Sequence, residues 1–440
     1  MPQYFTTIAN RRLCFALLCS ISSGCATYSE SFRPLEKEII AQRPDKALKR
    51  LEKSPPSGND RLLYFLDKAM FLRMMGKYSE SNQSLEEAKK YIKKFSPTSI
   101  TEETAAFFVN DSTRAFIGAP FEQVLVHLYA ALNYLQMGEL DSARVESQQV
   151  DIKLKTLSQS DQKPILIADP FARYLTGIIY EDLGEWSNAM IAYRKAYQAY
   201  QAHGKSYSVT IPEYLKHDLI RLADYEGLRD ERDRYIKEFK ISQWQKLQTR
   251  KNKGEIIFIM NNGLAPIKRQ RTVAHAAING QLVRVSLPFY QKRRNGFYTA
   301  HLSAGNNSAL TSEVKDVNSI ADKTLAHFMP GITARAIARA VAKHKVADKV
   351  GDQNAWAGLA MMVTNFATEV ADTRSWLTLP GELHLGRLPL KPGKYDINLE
   401  LRGNGNHILH TYQYKDVQVK RGAKTYLTYH WVSPNSLRSK

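Results

Sequence analysis

The residue whose type and setting most directly invite chemistry is Cys25. It closes the run Arg11-Arg12-Leu13-Cys14-Phe15-Ala16-Leu17-Leu18-Cys19-Ser20-Ile21-Ser22-Ser23-Gly24-Cys25, in which two arginines precede an apolar stretch and small residues lead to a thiol. A bilayer span needs roughly 20 apolar residues, and this stretch has about half that number, so it reads as an export signal. An ordinary signal peptide and a membrane-tethering helix are the alternatives. Cys14 and Cys19 lie inside the segment that export removes, which leaves Cys25 as the one cysteine of the exported chain. An intrachain disulfide is then excluded even in an oxidising compartment.

Other chemistry is thinly signalled. The chain carries no metalloprotease helix motif, P-loop, Gly-x-Ser-x-Gly elbow or dinucleotide fingerprint. His407 and His410 are three apart in strand-like sequence, an offset that sends the rings to opposite faces, so no metal site and no cofactor are expected. The densest polar constellation is Ala371-Asp372-Thr373-Arg374-Ser375-Trp376. Asp372 and Arg374 suit a charge-assisted pair and Trp376 an aromatic anchor for a partner; alternatively the pair ties a helix end to a sheet while the indole fills a core. Arg335, Arg339 and Lys343 recur every four residues and put a cationic stripe on one helix face, with Ile337 and Val341 on another. The neighbouring stretch from Ala355 to Thr368 is apolar nearly all round but too short to span a bilayer, which suits a buried helix, or else a hairpin packed on membrane or on a second copy.

The elements that must position these groups divide the chain. From about Ser31 to Trp244 apolar residues recur at three- and four-residue spacing, the helical period. Three segments share a template anchored on Gly76, Gly138 and Gly184. A large residue follows each glycine by two (Tyr78, Leu140, Trp186), and a small one by five (Ser81, Ala143, Ala189); Ala88, Val150 and Ala196 follow by twelve. Leu72, Tyr134 and Tyr180 precede by four, and Ala69, Ala131 and Gly177 by seven. Small residues let two antiparallel helices approach, and a turn glycine supplies the left-handed conformation that ends the first. The segment from Tyr174 to Ala196 fits best; weaker half-repeats surround Asp45-Lys46-Ala47-Leu48 and run from Tyr225 to Tyr235. Anchor spacings of 62 and 46 residues mean an interrupted array, with the break at Pro97 to Glu122. Near Arg250-Lys251-Asn252-Lys253-Gly254 the helical period gives way to Glu255-Ile256-Ile257-Phe258-Ile259-Met260 and a turn at Asn261-Asn262-Gly263. Further strands are expected at Val283–Leu287, Glu382–Leu388, Lys394–Leu401, His410–Lys420 and Lys424–Trp431, with helices at Ile332–Val350 and Asn354–Val370 between them. The fold class is therefore multidomain: an all-α helical repeat domain followed by an α+β domain with an antiparallel sheet and an Ala-rich helical insertion.

The glycine-anchored template resembles the tetratricopeptide repeat, a helix-turn-helix unit of about 34 residues. The run ending Ser23-Gly24-Cys25 resembles a bacterial lipoprotein signal, with Ser22 where that family usually has leucine; the resemblance implies that Cys25 is lipidated and becomes the mature N-terminus. Ala26, where an aspartate would retain the protein in the inner membrane, implies the outer membrane. Asn110-Asp111, Phe121-Glu122-Gln123-Val124-Leu125-Val126-His127 with Ala131-Leu132-Asn133-Tyr134, and the 371–376 segment resemble a largely uncharacterised family of Gram-negative lipoproteins with degenerate repeats of this kind. Together these imply a signal over 1–24, a repeat domain over 25–250 and a basic domain over 251–440.

The formal charge of +19 is uneven: Lys251 onward holds 27 Lys+Arg against 12 Asp+Glu, whereas Cys25 to Arg250 holds 33 against 31. Export removes nucleic acid as a partner and leaves anionic lipid, peptidoglycan carboxylates or an acidic protein; a solvated basic surface is the plainer alternative. The expected function is non-catalytic: a lipid-anchored scaffold at the periplasmic face of the outer membrane, whose repeats offer a concave surface to an envelope protein or peptide. Activation of peptidoglycan or envelope synthesis, and hydrolysis of cell-wall polymer, are the alternatives.

Overall fold

The computed structural model describes residues 28–96, 114–160, 169–204, 209–276, 282–293, 299–353 and 370–434. Cys25, the export run and the Asn110-Asp111 pair lie outside these residues, as does nearly all of the expected 354–370 helix.

Helices α1 (Tyr28–Ser31), α2 (Arg33–Ile40) and α3 (Pro44–Lys53) lead into four antiparallel hairpins. These are α4 (Arg61–Met74) with α5 (Tyr78–Phe95), α6 (Pro120–Met137) with α7 (Leu140–Ser160), α8 (Pro170–Asp182) with α9 (Trp186–Gly204), and α10 (Glu213–Tyr225) with α11 (Arg229–Phe239). One device closes all four. Gly76, Gly138, Gly184 and Gly227 take φ values of +74°, +77°, +76° and +73°. The following N–H reaches back to the carbonyl of Leu72, Tyr134, Tyr180 or Ala223 at 2.8 to 2.9 Å, the 6→1 bond of a left-handed C-cap. The fourth turn matches only weakly in sequence because Arg229 and Arg232 stand where the template wants a large apolar and a small residue. Ala69, Ala131, Ala143, Ala189 and Ala196 are at most 1% exposed. Ser81 stands in for alanine because its hydroxyl donates to the Ala69 carbonyl at 2.7 Å, which satisfies the one polar atom it adds.

After α12 (Leu247–Lys251) come β1 (Gly254–Asn262), β2 (Ile267–Ala276), β3 (Leu282–Gln291), β4 (Thr299–Ala304), β5 (Asn307–Leu310) and β6 (Ser312–Asp316). Helix α13 (Val317–Gln353) follows, then β7 (Glu382–Leu390), β8 (Gly393–Arg402), β9 (Ile408–Val419) and β10 (Lys424–Trp431). The expected single antiparallel sheet is instead two four-stranded sheets and a hairpin. A central sheet has the order β10-β1-β7-β6, an outer sheet the order β5-β4-β8-β9, and β2 pairs with β3 alone. The central sheet is mixed: β10 runs parallel to β1, because the turn after β9 is clamped to the start of β1 by Gly422 N–H to Lys253 O and Glu255 N–H to Ala423 O. The Ala-rich Ile332–Val350 piece is the later part of α13, which runs on through Pro330.

Layering explains the unbroken apolar run of β1. Ile257 and Ile259 join the helical core, together with Leu383, Leu385, Val314 and Trp376. Ile256, Phe258 and Met260 join Leu302, Leu399 and Leu401 of the outer sheet. The central sheet is thus covered on both faces, and every residue of β1 is buried. The order is helices, central sheet, outer sheet, with α13 packed on the β2–β3 hairpin through Ala336, Val285 and Leu287.

The closest helix contact gives a stability test. A Cβ on Gly177 would lie 2.3 Å from the Tyr193 ring, and that ring is held by its hydroxyl bond to Glu181 at 2.6 Å. Gly177→Ala is expected to cost roughly 1–3 kcal/mol in urea unfolding, whereas Val145→Ala, at a half-exposed position, changes stability little. Equal midpoints for the two variants would contradict the packing.

Candidate functional site

In repeat arrays the first helix of each hairpin lines the inner face, where partners usually dock. Here that face meets the central sheet. Alternation along the strands sends Glu255, Ile257, Ile259 and Asn261 of β1, Lys424, Tyr426 and Thr428 of β10, and Arg387 of β7 toward the helices, and each polar member finds a helical partner. From α4, Arg73 donates to Thr428 Oγ1 at 3.2 Å. From α6, the Tyr129 hydroxyl donates to Asn261 Oδ1 at 2.9 Å. From α8, Asp182 accepts from the Lys424 N–H at 2.9 Å and the Tyr426 hydroxyl at 3.1 Å. From α9, the Tyr200 hydroxyl donates to Val314 O at 2.9 Å, and Asp169, the N-cap of α8, pairs with Lys315 of β6.

The strongest knot surrounds Arg387, which is 3% exposed. Its guanidinium grips Glu255 at 2.9 and 2.7 Å, donates to the Tyr174 hydroxyl at 3.1 Å and pairs with Asp218 of α10. Tyr174 donates in turn to Asp218 at 2.8 Å. Arg221 bonds Glu181 at 2.9 Å, and Lys424 reaches the same carboxylate at 3.2 Å. Burial opposes the charged state of these carboxylates, but the surrounding cations win: Arg250 and Arg387 bring Glu255 down to about 2, and Arg221 and Lys424 hold Glu181 well below the usual range.

A second knot contains the 371–376 segment. Trp376 is 0% exposed, so it is no surface anchor. Its backbone N–H donates to Glu122 at 2.7 Å and its indole N–H to Thr378 at 2.8 Å, and Thr378 donates to Asp67 of α4 at 2.7 Å. Arg374 grips Asp372 at 2.7 and 3.0 Å and reaches Asp60 at 3.1 Å, so this pair joins the loop before β7 to the start of α4. Asp67 also accepts from the Tyr28 hydroxyl; burial, only partly offset by these donors, raises its pKa to about 7.

Beside this knot a shallow cleft opens between α6, the β2–β3 hairpin and α13. Its lining includes Phe121, Pro288, Phe328, Lys268, Arg335 and Arg339. Of the expected cationic stripe, Arg335 and Arg339 lie on one face of α13, half-buried in the cleft with Phe328 and Ile332, and Lys343's side chain lies outside the described residues. Arg293, in the basic 292–294 cluster, is buried against Glu36 at 3.4 Å and the Leu377 carbonyl at 3.2 Å. His407 sits in the turn before β9 and His410 bonds the Tyr429 hydroxyl at 2.6 Å. Among the described residues no group of three or more His, Cys, Asp or Glu could hold a metal, and no helix is long and apolar enough to cross a membrane.

Of the repeat positions, Ala143, Gly177, Ala189 and Ala196 sit between paired helices, Gly76, Gly138 and Gly184 form the turns, and Tyr78, Tyr180 and Trp186 are half-buried at the hairpin ends. Sequence reasoning did not single out Asp218, Glu255, Arg387 or Lys424. The available signal was a charge at a strand or helix position whose neighbours two or four away are apolar.

No protein-family model matches the chain, and no curated protein matches it significantly. Among solved structures it is similar to MamA, with 16% identity, 46% of this chain and 91% of that one covered, and a TM-score of 0.29. A kinesin-light-chain-like protein from Podosopora anserina with nearly identical TPR-like repeats gives 16%, 48%, 91% and 0.29. A tetratricopeptide repeat protein from Parabacteroides merdae gives 15%, 49%, 68% and 0.29. These neighbours are repeat proteins; the repeat architecture of this chain rests on its own four glycine turns and the small residues between paired helices.

The two knots predict opposite pH limbs. Glu255, held at about 2 in the fold, contributes stability above its unfolded value near 4.5 that is lost as pH falls toward 2. Asp67, raised to about 7 from near 3.8, contributes stability at low pH that is lost as pH rises through that window. Urea midpoints of Glu255→Gln should lose part of the acid limb, and those of Asp67→Asn part of the fall between pH 4 and 7. Profiles parallel to the parent's would contradict both assignments.

Proposed function

We propose that this chain is a lipid-anchored envelope lipoprotein, tethered through Cys25 to the periplasmic face of the outer membrane, that acts as a non-catalytic protein-interaction scaffold. The anchor rests on the lipobox-like sequence. The scaffold role rests on the repeat architecture, and one observation directs where a partner docks. The inner face is bonded to the chain's own sheet, while the outer helices present Val145 and Ile152 of α7 and Ile191 of α9 at 50%, 55% and 48% exposure. Val145 and Ile152 are seven apart, two turns along one helix face on either side of Gln148 and Gln149, so this ridge of the outer surface offers a partner two exposed apolar side chains in a polar setting. The docking surface is therefore the outer one, in place of the expected concave one. Activation of envelope synthesis is the same reading with a synthase as partner.

Two measurements test this. Cys25→Ser should abolish metabolic labelling by fatty acid and release the protein from the membrane fraction; unchanged labelling contradicts the anchor. A photoreactive residue at Ile152 or Ile191 should crosslink a discrete envelope protein in intact cells, and one at Lys90, on α5 outside the ridge, should not. The same products from all three sites, or none, would contradict the docking surface.

A further inference from the structure

We propose that the corner of the fold formed by α1, α2 and β2 is the face that rests on the bilayer, and that its exposed cations meet anionic lipid headgroups there. This deepens the lipoprotein reading and rests on it, because the anchor supplies the geometry. Three residues after Cys25 the chain is held by the fold. Tyr28 is 9% exposed, its hydroxyl donates to the buried Asp67 of α4, and its carbonyl accepts the Phe32 N–H at 3.0 Å. Phe32 is 1% exposed beneath the Arg293 guanidinium, which lies 5.9 Å from its ring. Three extended residues reach at most about 11 Å, so an acylated Cys25 holds Tyr28 within that distance of the headgroup layer. A long linker would let the fold turn freely, whereas one this short leaves only the elements beside Tyr28 to meet the membrane. Those elements are α2, which continues from α1, and β2, on which α1 packs.

The side chains on these elements fit an anionic surface. Among the described residues, the ionisable side chains exposed on α1, α2 and β2 are Arg33, Lys37 and Arg271 against the acid Glu30. Arg33 and Lys37 are four apart and share one face of α2. The other described charges there are engaged within the fold: Glu36 pairs with Arg293 at 3.4 Å, Glu38 with Arg43 and Arg50 at 3.0 Å each, Arg269 donates to Gln291, and Lys268 lines the cleft beside α13. Close by, Lys292 pairs with Asp322 at 3.5 Å and Asp60 with Arg374 at 3.1 Å. Among the described residues none of the three elements exposes a large apolar side chain, so the contact is with headgroups and not with the acyl layer. The Debye length, about 10 Å at 0.1 M salt, matches the reach of the tether, which keeps these cations within range of headgroup charge.

The test uses the full-length lipidated protein in vesicles of phosphatidylcholine, with and without phosphatidylglycerol, that carry a headgroup-attached nitroxide. A fluorophore is attached to Ser31→Cys or Thr272→Cys at the corner, and to Ile191→Cys on α9 or Gln413→Cys on the outer sheet for comparison; all four positions are exposed. The two corner sites should be strongly quenched, and more so with phosphatidylglycerol, while the other two stay nearly unquenched. Adding Arg33→Gln/Lys37→Gln/Arg271→Gln to Thr272→Cys should abolish the phosphatidylglycerol-dependent part. Raising salt to about 1 M, where the Debye length falls to about 3 Å, should do the same to the Thr272→Cys protein, and this arm stands whether or not the multiple variant folds. Equal quenching at all four sites, with fatty-acid labelling of Cys25 intact, would overturn the docking face and leave the anchor standing. Quenching at the corner that ignores both phosphatidylglycerol and salt would overturn the role of the cations. Absence of fatty-acid labelling, with no site quenched, would remove the anchor and the docking face together.

Discussion

The buried guanidinium of Arg387 is the contact on which the rest of the architecture turns. It projects from the centre of β7 into the first helices of the third and fourth hairpins, where Asp218 and Tyr174 receive it beside Glu255 of the neighbouring strand. A cation this deep persists only because carboxylates on both sides meet it; stripping one partner from such a group typically costs about 3–5 kcal/mol. The pairing also fixes position. A one-residue slip of β7 would swing Arg387 into the apolar layer between the two sheets and bring Gly386 or Leu388 against the acids.

That constraint changes what the repeats are for. The inner face becomes a cradle for the chain's own sheet, and among the described residues the outer helices keep apolar side chains exposed. The basic excess beyond Lys251 is divided the same way. Arg293, Arg374, Arg387 and Lys424 pair with internal carboxylates, and Lys268, Arg335 and Arg339 line the cleft beside α13.

Much of the helical region was legible because its signals are local. A turn glycine and the companion residues two, five and twelve positions on depend only on the hairpin that contains them, so Gly76, Gly138 and Gly184 share a template visible in the sequence. Gly227 closes an equivalent turn but has arginines at the companion positions, and only the geometry reveals it. Strands β1, β7, β8, β9 and β10 carried apolar runs or alternation. Strands β2 and β4 to β6 were not legible, since Lys268-Arg269-Gln270-Arg271 and Asn307-Ser308 are polar edges whose pairing is set by partners distant in sequence. The same non-locality hid the seam: Asp218 and Arg387 are 169 residues apart, and although each is a charge among apolar neighbours, nothing local says that they meet. The 371–376 segment stood out by composition, yet its burial follows from Glu122 and Asp67, which only the fold brings to it.

Joined through this seam, the repeat array and the sheet should behave as one energetically coupled body. A double-mutant cycle on the full chain, pairing Asp218→Asn with Arg387→Gln in urea unfolding, measures that coupling directly. Non-additivity of about 1–3 kcal/mol is expected, as for groups that share a buried network. Strict additivity, with the two variants behaving as distant independent sites, would contradict it.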